Sequence, residues 1–405
     1  MSSASRKTLS LCLGLGLMAG CGPAPSPKNL GPIDDGGGYQ AQYRDPPLNF
    51  AERPVLQSER LNAARCKPLA GGVESGTGKA GGLAHHALGG EQLSRNDLVD
   101  IRVADDETFV GNYVVSRDGT LKLPFLPPVR AEGRTTAQIE ADLINALLKD
   151  EFYDEAPRVS VRVADFAGVS VAVSGAVFEP HAAQIGRVSG DDLDIARQTA
   201  LGASTEGRNL SAAIRAAGGI RPDADISAVE LYRGGQRYVL DMRGVFEGRN
   251  AVDVMLITGD EVVVPSRECF QEDLMRPSPI SPPGVSMFLS NLTVPATGNA
   301  PSAIGREVRQ VPYGTRMMQA VIDTNCVGGT RATSAHRSAI LVTRDPTTQV
   351  STVIERSIEN QLRRPDRDDF DPYLLPGDGI ACYDSSVTNL TQALLAVGVA
   401  KTVLP

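Results

Sequence analysis

Leu93-Ser94-Arg95-Asn96-Asp97-Leu98-Val99-Asp100-Ile101-Arg102-Val103 is the stretch from which the fold follows. From Leu98 onward apolar and polar residues alternate at period two, the pattern of a strand with one buried face. Val159-Ser160-Val161-Arg162-Val163 alternates in the same way and predicts another strand. Between them, Tyr113 to Leu126 has strand-like flanks around Arg117-Asp118-Gly119-Thr120, where Asp-Gly supplies the positive φ angles of a tight hairpin. After Gly133, Thr135 or Thr136 can cap a helix whose apolar positions Ile139, Leu143, Ile144 and Leu147 recur at spacings of three and four. Strand, hairpin, helix and strand describe a compact α+β unit over residues 90–166.

The rest of the chain is long enough for further domains. It has 405 residues, 41% hydrophobic and 22% charged, against the usual ~100–200 residues per domain. Gly 41 and Pro 27 fall well below the roughly 25–30% of low-complexity chains, so folded modules with many turns are expected. The net charge is −8, and no stretch gathers Lys or Arg into a phosphate-binding stripe, so nucleic acid is not expected as a partner.

Arg6 and Lys7 precede an apolar run from Leu9 to Ala19, too short to cross the ~30 Å of a bilayer's hydrocarbon core but the right length for a secretory signal over residues 1–20. Leu17-Met18-Ala19-Gly20-Cys21 resembles the lipobox of bacterial lipoproteins, in which the Cys thiol takes the lipid, and marks Cys21 for lipidation. Processing there removes Arg6 and Lys7 and no acid, taking the net charge to −10. Gly22 after the cysteine favours the outer membrane. No later stretch reaches 18 consecutive apolar residues. Residues 21–89, rich in Gly and Pro at Pro23-Ala24-Pro25-Ser26-Pro27, Gly36-Gly37-Gly38 and again from Ala70 to Gly90, read as a lipidated, flexible N-terminal region.

Cys66, Cys269, Cys326 and Cys382 remain after processing, an even number that suggests disulfides in an exported protein, with three pairings open. No CxxC spacing occurs and His85, His86, His181 and His336 are scattered, so no metal site is expected.

Beyond residue 166 two elements recur. Leu210 to Gly219 is a short helix closed by Gly218-Gly219, and Leu256 to Pro265 is a Gly259-Asp260 turn feeding a strand. Met317 to Gly329 repeats the helix, closed by Gly328-Gly329, and Leu374 to Tyr383 repeats the turn at Gly377-Asp378. The double glycine and the Gly-Asp turn are 41 residues apart in one copy (218 to 259) and 49 in the other (328 to 377), as in two similar domains rather than a solenoid.

The opening stretch, followed by Val115-Ser116-Arg117-Asp118-Gly119-Thr120-Leu121-Lys122-Leu123-Pro124 and then Gly133-Arg134-Thr135-Thr136-Ala137, resembles the N-terminal domain of the outer-membrane polysaccharide export lipoproteins, the Wza-like family. The family's pattern begins with Pro-Gly-Asp; Arg95-Asn96-Asp97 stands there, and Asn also accepts the left-handed conformation. The two repeats resemble the soluble-ligand-binding β-grasp (SLBB) domains that follow in this family, with Val169 to Val177 fitting the opening strand, His181 in place of a usual glycine, and a polar insertion from about Arg187 to Arg208. The resemblance implies a multi-domain α+β chain: export domain 90–166, first β-grasp domain 167–268, linker 269–304, second β-grasp-like domain 305–384 and a short C-terminal helix in 385–405. It also implies two bridges, Cys326 to Cys382 between helix and final strand of the second repeat, and Cys66 to Cys269.

Catalytic readings fail on their own spacing. Gly72 to Ala80 lacks the spacing and the hydroxyl of a phosphate loop, and no Ser lies in a G-x-S-x-G context. Asp105-Asp106-Glu107 and Asp366-Arg367-Asp368-Asp369-Phe370-Asp371 read as solvated faces; the second lacks the Gly and terminal Glu of a calcium loop. No enzyme activity and no cofactor are expected. The resemblance implies a ring-forming homo-oligomer, held to the outer membrane by its lipid and facing the periplasm, that passes a secreted capsule or exopolysaccharide with an inner-membrane copolymerase as partner. Family members that build their own pore end in a long amphipathic helix, whereas Asn389 to Val403 gives only ~22 Å. A ring beneath a separate outer-membrane β-barrel therefore fits better. The alternative is a monomeric periplasmic lipoprotein that binds a glycan or other ligand.

Overall fold

The computed structural model describes residues 27–33, 38–47, 56–72, 88–186, 206–249, 253–291, 309–323 and 337–383. It divides into two compact units, one of residues 1–65, 270–275 and 284–405, the other of residues 66–269 and 276–283. Each is taken by itself below.

The N-terminal part of the first unit departs from the flexible region expected over 21–89. Gln40, Ala41, Gln42 and Tyr43 are buried, and α1 (Ser58–Ala63) follows. The Gln40 side chain acts as a strand neighbour: its Nε2 donates to the Tyr373 carbonyl at 2.8 Å and its Oε1 accepts from the Tyr373 N–H at 2.9 Å. Such amides bury without penalty because both ends are satisfied. Glycine and proline abundance misled here, because three or four well-placed polar side chains suffice to hold a segment whose composition reads as a tether.

In the second unit, β1 (Leu98–Val103) lies between β2 (Gly111–Val114) and β5 (Val159–Asp165) in an antiparallel three-stranded sheet. Between β2 and β5 come β3 (Thr120–Leu121), β4 (Val129–Arg130) and α2 (Thr136–Lys149). Thr135 caps α2 in a capping box with Gln138, satisfying two of the orphan N–H groups of the first turn. Ile139, Leu143 and Leu147 of α2 are buried with Val99, Ile101 and Val103 of β1 and Val161 and Val163 of β5, one core at two different periodicities.

The Asp118-Gly119 turn forms, with Gly119 at φ 76° and Asp118 Oδ1 accepting from the Thr120 hydroxyl at 2.7 Å. It does not join two strands of one hairpin ladder. β3 pairs with β4, and the Gly119 carbonyl accepts from the N–H groups of Ala131 and Glu132. Pro124, Pro127 and Pro128 lack the donors that a longer ladder back to β2 needs.

The same unit continues with β6 (Val169–Gly175), β7 (His181–Ile185), α3 (Leu210–Ala216), β8 (Val229–Arg233), β9 (Gln236–Leu240), α4 (Gly244–Glu247) and β10 (Glu261–Val264). The strand order is β7-β6-β10-β8-β9, with β6 and β10 parallel and every other pair antiparallel. Gly218 and Gly219 close α3 at φ 79° and 80°; a Cβ at Gly219 would sit 2.3 Å from the backbone nitrogen of Pro282, so glycine is required there twice over.

The first unit holds the second copy: β11 (Val285–Asn291), β12 (Arg309–Val311), α5 (Met317–Asp323), β13 (Ser338–Arg344), β14 (Ser351–Ser357), α6 (Ile358–Arg363) and β15 (Gly379–Tyr383). Its order is β12-β11-β15-β13-β14, again with the first and last strands parallel at the centre. Strand for strand this is the topology of the first copy. The residues expected as a linker, 269–304, therefore contain β11, an interior strand of this sheet, and Phe270 is buried against the rings of Tyr39 and Tyr373. Val285 and Met287 of β11 are buried like Val169 and Val171 of β6, so the period-two signal was present but short.

The acidic run 366–371, read as a solvated face, is another correction. Asp366, Asp369 and Asp371 are buried. Asp369 Oδ1 accepts from the N–H groups of Gln57 and Ser58 at 2.7 and 2.8 Å, capping α1, and Asp371 Oδ1 accepts from the Met318 N–H at 2.9 Å. Asp366 forms a two-bond pair with Arg364. Carboxylates adjacent in sequence satisfy helix N-termini distant in sequence, which no local pattern announces.

Candidate functional site

The turn that opens the export unit is the local structure from which the site is built, and it occurs three times. Asn96, Gly259 and Gly377 have φ of 71°, 89° and 90°, the left-handed region open to Gly and tolerated by Asn. The aspartate after each, Asp97, Asp260 or Asp378, is buried and folds back: its Oδ2 accepts the backbone N–H three residues earlier, from Ser94 at 2.7 Å, Ile257 at 2.9 Å and Leu375 at 2.8 Å. Each turn feeds a strand, β1, β10 or β15. The recurrence explains why Asn96 can stand where the family pattern has glycine.

What differs is the second partner of each aspartate. Asp97 receives both oxygens' worth of bonding from Arg208 Nη1, at 2.8 and 3.0 Å, and the Ala167 N–H at 2.9 Å. Arg208 is 1% exposed, donates also to the Leu256 carbonyl, and lies over the Phe166 ring at 5.0 Å. Burial raises the Asp97 carboxyl above its ordinary range, and the guanidinium of Arg208 opposes that rise. Asp260 is held by Arg233 through Nε at 2.9 Å and Nη2 at 2.6 Å. Asp378 has Thr343, the residue in the same sheet position as Arg233, since Glu261 faces Tyr232 and Gly379 faces Val342. With a hydroxyl in place of a guanidinium, burial pushes Asp378 up to about 7.

Two of these arginines join the export unit to the first repeat inside the second unit. Arg208 reaches Asp97, and Arg233 Nη1 donates to Gln92 Oε1 at 2.8 Å. The Ser94 hydroxyl accepts from the Thr258 N–H at 2.9 Å, and Met255 enters the export core. Between the β3–β4 side of the export unit and the β8–β9 hairpin lies a cavity of about 570 Å³, lined by Arg95, Arg130, Arg134, Arg233 and Tyr238 among others. In the sequence Arg208 stands at the end of a polar insertion, and nothing local marks Arg130 or Arg233 as members of this cluster. Isolated arginines carry no local signal; only their convergence does. Residues 187–205 of that insertion lie outside the described residues.

Of the expected disulfides, Cys66 is bonded to Cys269 within the second unit. Cys382 is disulfide-bonded, and Cys326 lies outside the described residues. Replacing Cys66 and Cys269 together by serine is expected to cost about 2–4 kcal/mol, since the bridge closes a loop of 203 residues in the unfolded chain. A lower urea midpoint of the full chain checks this, and an unchanged midpoint refutes it. Cys21, Gly328, Gly329, His85, His86, the stretch 73–80 and residues 385–405 lie outside the described residues as well.

Among the described residues no three or more His, Cys, Asp or Glu side chains come together to hold a metal ion, and no helix is long and apolar enough to cross a membrane. The charged groups gathered at the turns are bonded to one another, an arrangement that sets the register of two modules. No curated protein matches the chain. Residues 89–164 match the model of a family described as polysaccharide biosynthesis/export protein. Those limits coincide with the unit that runs from the isolated bridge at Gln92 through β5. Residues 89–164 of the chain thus form a domain of the polysaccharide biosynthesis/export kind.

Proposed function

We propose that the chain is a lipid-anchored, ring-forming component of an outer-membrane translocon that exports a capsule or exopolysaccharide, working with an inner-membrane copolymerase and a separate outer-membrane β-barrel. The observation that carries this reading is the agreement of the export-domain match with the strand, turn, helix and strand unit. Two sheets of identical strand order support reading the remainder as paired β-grasp modules of the soluble-ligand-binding type. Cys21, behind a short apolar signal, supplies the anchor. Polymer movement needs no catalytic group in this chain: energy enters with synthesis upstream, and head-to-tail contacts of identical subunits close a ring around the path.

In-frame deletion of the gene in its own host, followed by fractionation of surface, periplasmic and medium polysaccharide, tests the reading. Polymer is expected to vanish from surface and medium, and a Cys21→Ser copy to fail to restore it. Normal amounts of surface polymer with altered length or decoration would instead assign a binding or modifying role.

A further inference from the structure

The cavity of about 570 Å³ in the second unit is lined by four arginines and only two carboxylates, Glu132 and Asp260, in a chain whose overall charge is −8. Local charge therefore runs against composition. The arginines differ in how far their donors are already used. Arg233 is committed to Asp260, Gln92 and the Met255 carbonyl. Arg134 forms an ion pair with Asp142. Arg95 Nε lies 2.8 Å from Glu132 Oε1, yet off the N–H axis, so this buried N–H makes an ion pair without a hydrogen bond. Arg130, exposed at the end of β4, has no side-chain partner among the described residues. Two guanidinium groups with donors to spare thus face one opening.

A guanidinium fork matches a carboxylate bidentately, and such charge-assisted bonds are about twice as strong as neutral ones. Beside the arginines, the half-buried ring of Tyr238 offers an apolar face on which a sugar ring can lie. The volume is within the ~300–1,000 Å³ of small-molecule sites, and Gly133, Gly234 and Gly259 leave the rim free of side chains. We infer that this cleft binds a carboxylate-bearing saccharide, so that the polymer passing the chain carries uronic acid or similarly acidic sugars. That the anion is a saccharide rests on the export reading above; that the cleft takes an anion rests on the arginines alone.

The test titrates the full chain in mild detergent with tetragalacturonate, maltotetraose and pyrophosphate by calorimetry. Tetragalacturonate is expected to bind, more weakly as salt is raised, and maltotetraose at least roughly tenfold more weakly. Arg130→Gln and Arg95→Gln should each weaken tetragalacturonate about fivefold to tenfold, with Arg130→Lys recovering part of the loss. Arg130 is exposed and has no side-chain partner among the described residues, so Arg130→Gln should keep the circular dichroism of the parent. Equal binding of both sugars, binding of pyrophosphate alone, binding of none, or an Arg130→Gln variant that binds tetragalacturonate as the parent does would each overturn the proposal. In the deletion host, a copy carrying both substitutions separates the two readings. If deletion stops export but the doubly substituted copy exports acidic polymer normally, the cleft proposal fails and the export reading stands. If deletion leaves export unchanged, the export reading fails while tetragalacturonate binding still decides whether the cleft takes an acidic sugar.

Discussion

Arg208→Ala is expected to destabilise the second unit by about 3–5 kcal/mol, the cost of leaving a buried carboxylate without its cation. Asp97 is fully buried, and burial already raises its carboxyl, with Arg208 the principal opposing charge. Without the guanidinium, desolvation acts on Asp97 with only backbone N–H groups against it, so the variant takes up a proton there. The loss should then depend on pH. An acid whose folded pKa stands above its unfolded value contributes stability below the unfolded pKa and loses it as pH rises, so Arg208→Ala should be less damaged at pH 5 than at pH 8. Asp97→Asn combined with Arg208→Met removes both charges and keeps an apolar stem over Phe166; it should recover much of the loss, because replacing a buried pair by apolar groups is often neutral. Urea denaturation of the full chain at the two pH values measures all of this. A single variant as stable as the parent at pH 8 would show that the pair contributes nothing to the junction.

A similarly large effect is expected in the first unit, with the pH sign of an uncompensated acid in the parent itself. Asp378 sits among Thr343, the Leu375 N–H and the buried Tyr43, whose hydroxyl is 3.3 Å from that of Thr343; among the described residues no cation pairs with it. Burial pushes Asp378 up to about 7 and Asp371 up to about 6, against about 4 in the unfolded chain. Both therefore hold protons in the folded state that the unfolded state has released. Stability is full below about pH 4 and falls as pH rises, by about 1 kcal/mol per pH unit from each group, until each has titrated in the folded state. For Asp378 the total is on the order of a few kcal/mol. Asp378→Asn keeps an acceptor for the Leu375 N–H and offers a donor to Thr343, so it should raise the melting temperature at pH 8, leave it little changed at pH 4, and remove the part of the decline that continues from about pH 6 to about pH 7. The decline between about pH 4 and pH 6 that Asp371 contributes should remain. With no tryptophan in the chain, circular dichroism from pH 4 to pH 8 is the convenient probe. Equal pH profiles for parent and variant would refute the assignment.

The same turn in three surroundings shows what local sequence can and cannot say. Asn96-Asp97, Gly259-Asp260 and Gly377-Asp378 were each legible because a left-handed residue followed by an aspartate is a short-range device: the side chain bonds to a backbone N–H three residues back. The strands they feed and a threonine cap at position 135 or 136 were legible for the same reason; that it is Thr135, in a capping box with Gln138, the structure decides. The Cys66 to Cys269 bridge came with the resemblance to a family, since four cysteines alone leave three pairings open.

What this sequence determined by itself was the set of local devices: the period-two strands of the export unit, the period of α2, the glycine-closed helix Leu210–Ala216, and the repeated turn that announced two similar modules. Tertiary structure alone decided the identity of the partners. Asp97 meets the guanidinium of Arg208 where Asp378 meets only the hydroxyl of Thr343, Asp369 caps a helix some 300 residues before it, Gln40 pairs with the backbone of Tyr373, and four arginines from two modules converge on one cleft. The physical reason is common to all of them. A side chain's charge and hydrogen-bonding capacity are written in its type, but the desolvation that makes them costly or useful depends on which distant segment covers it.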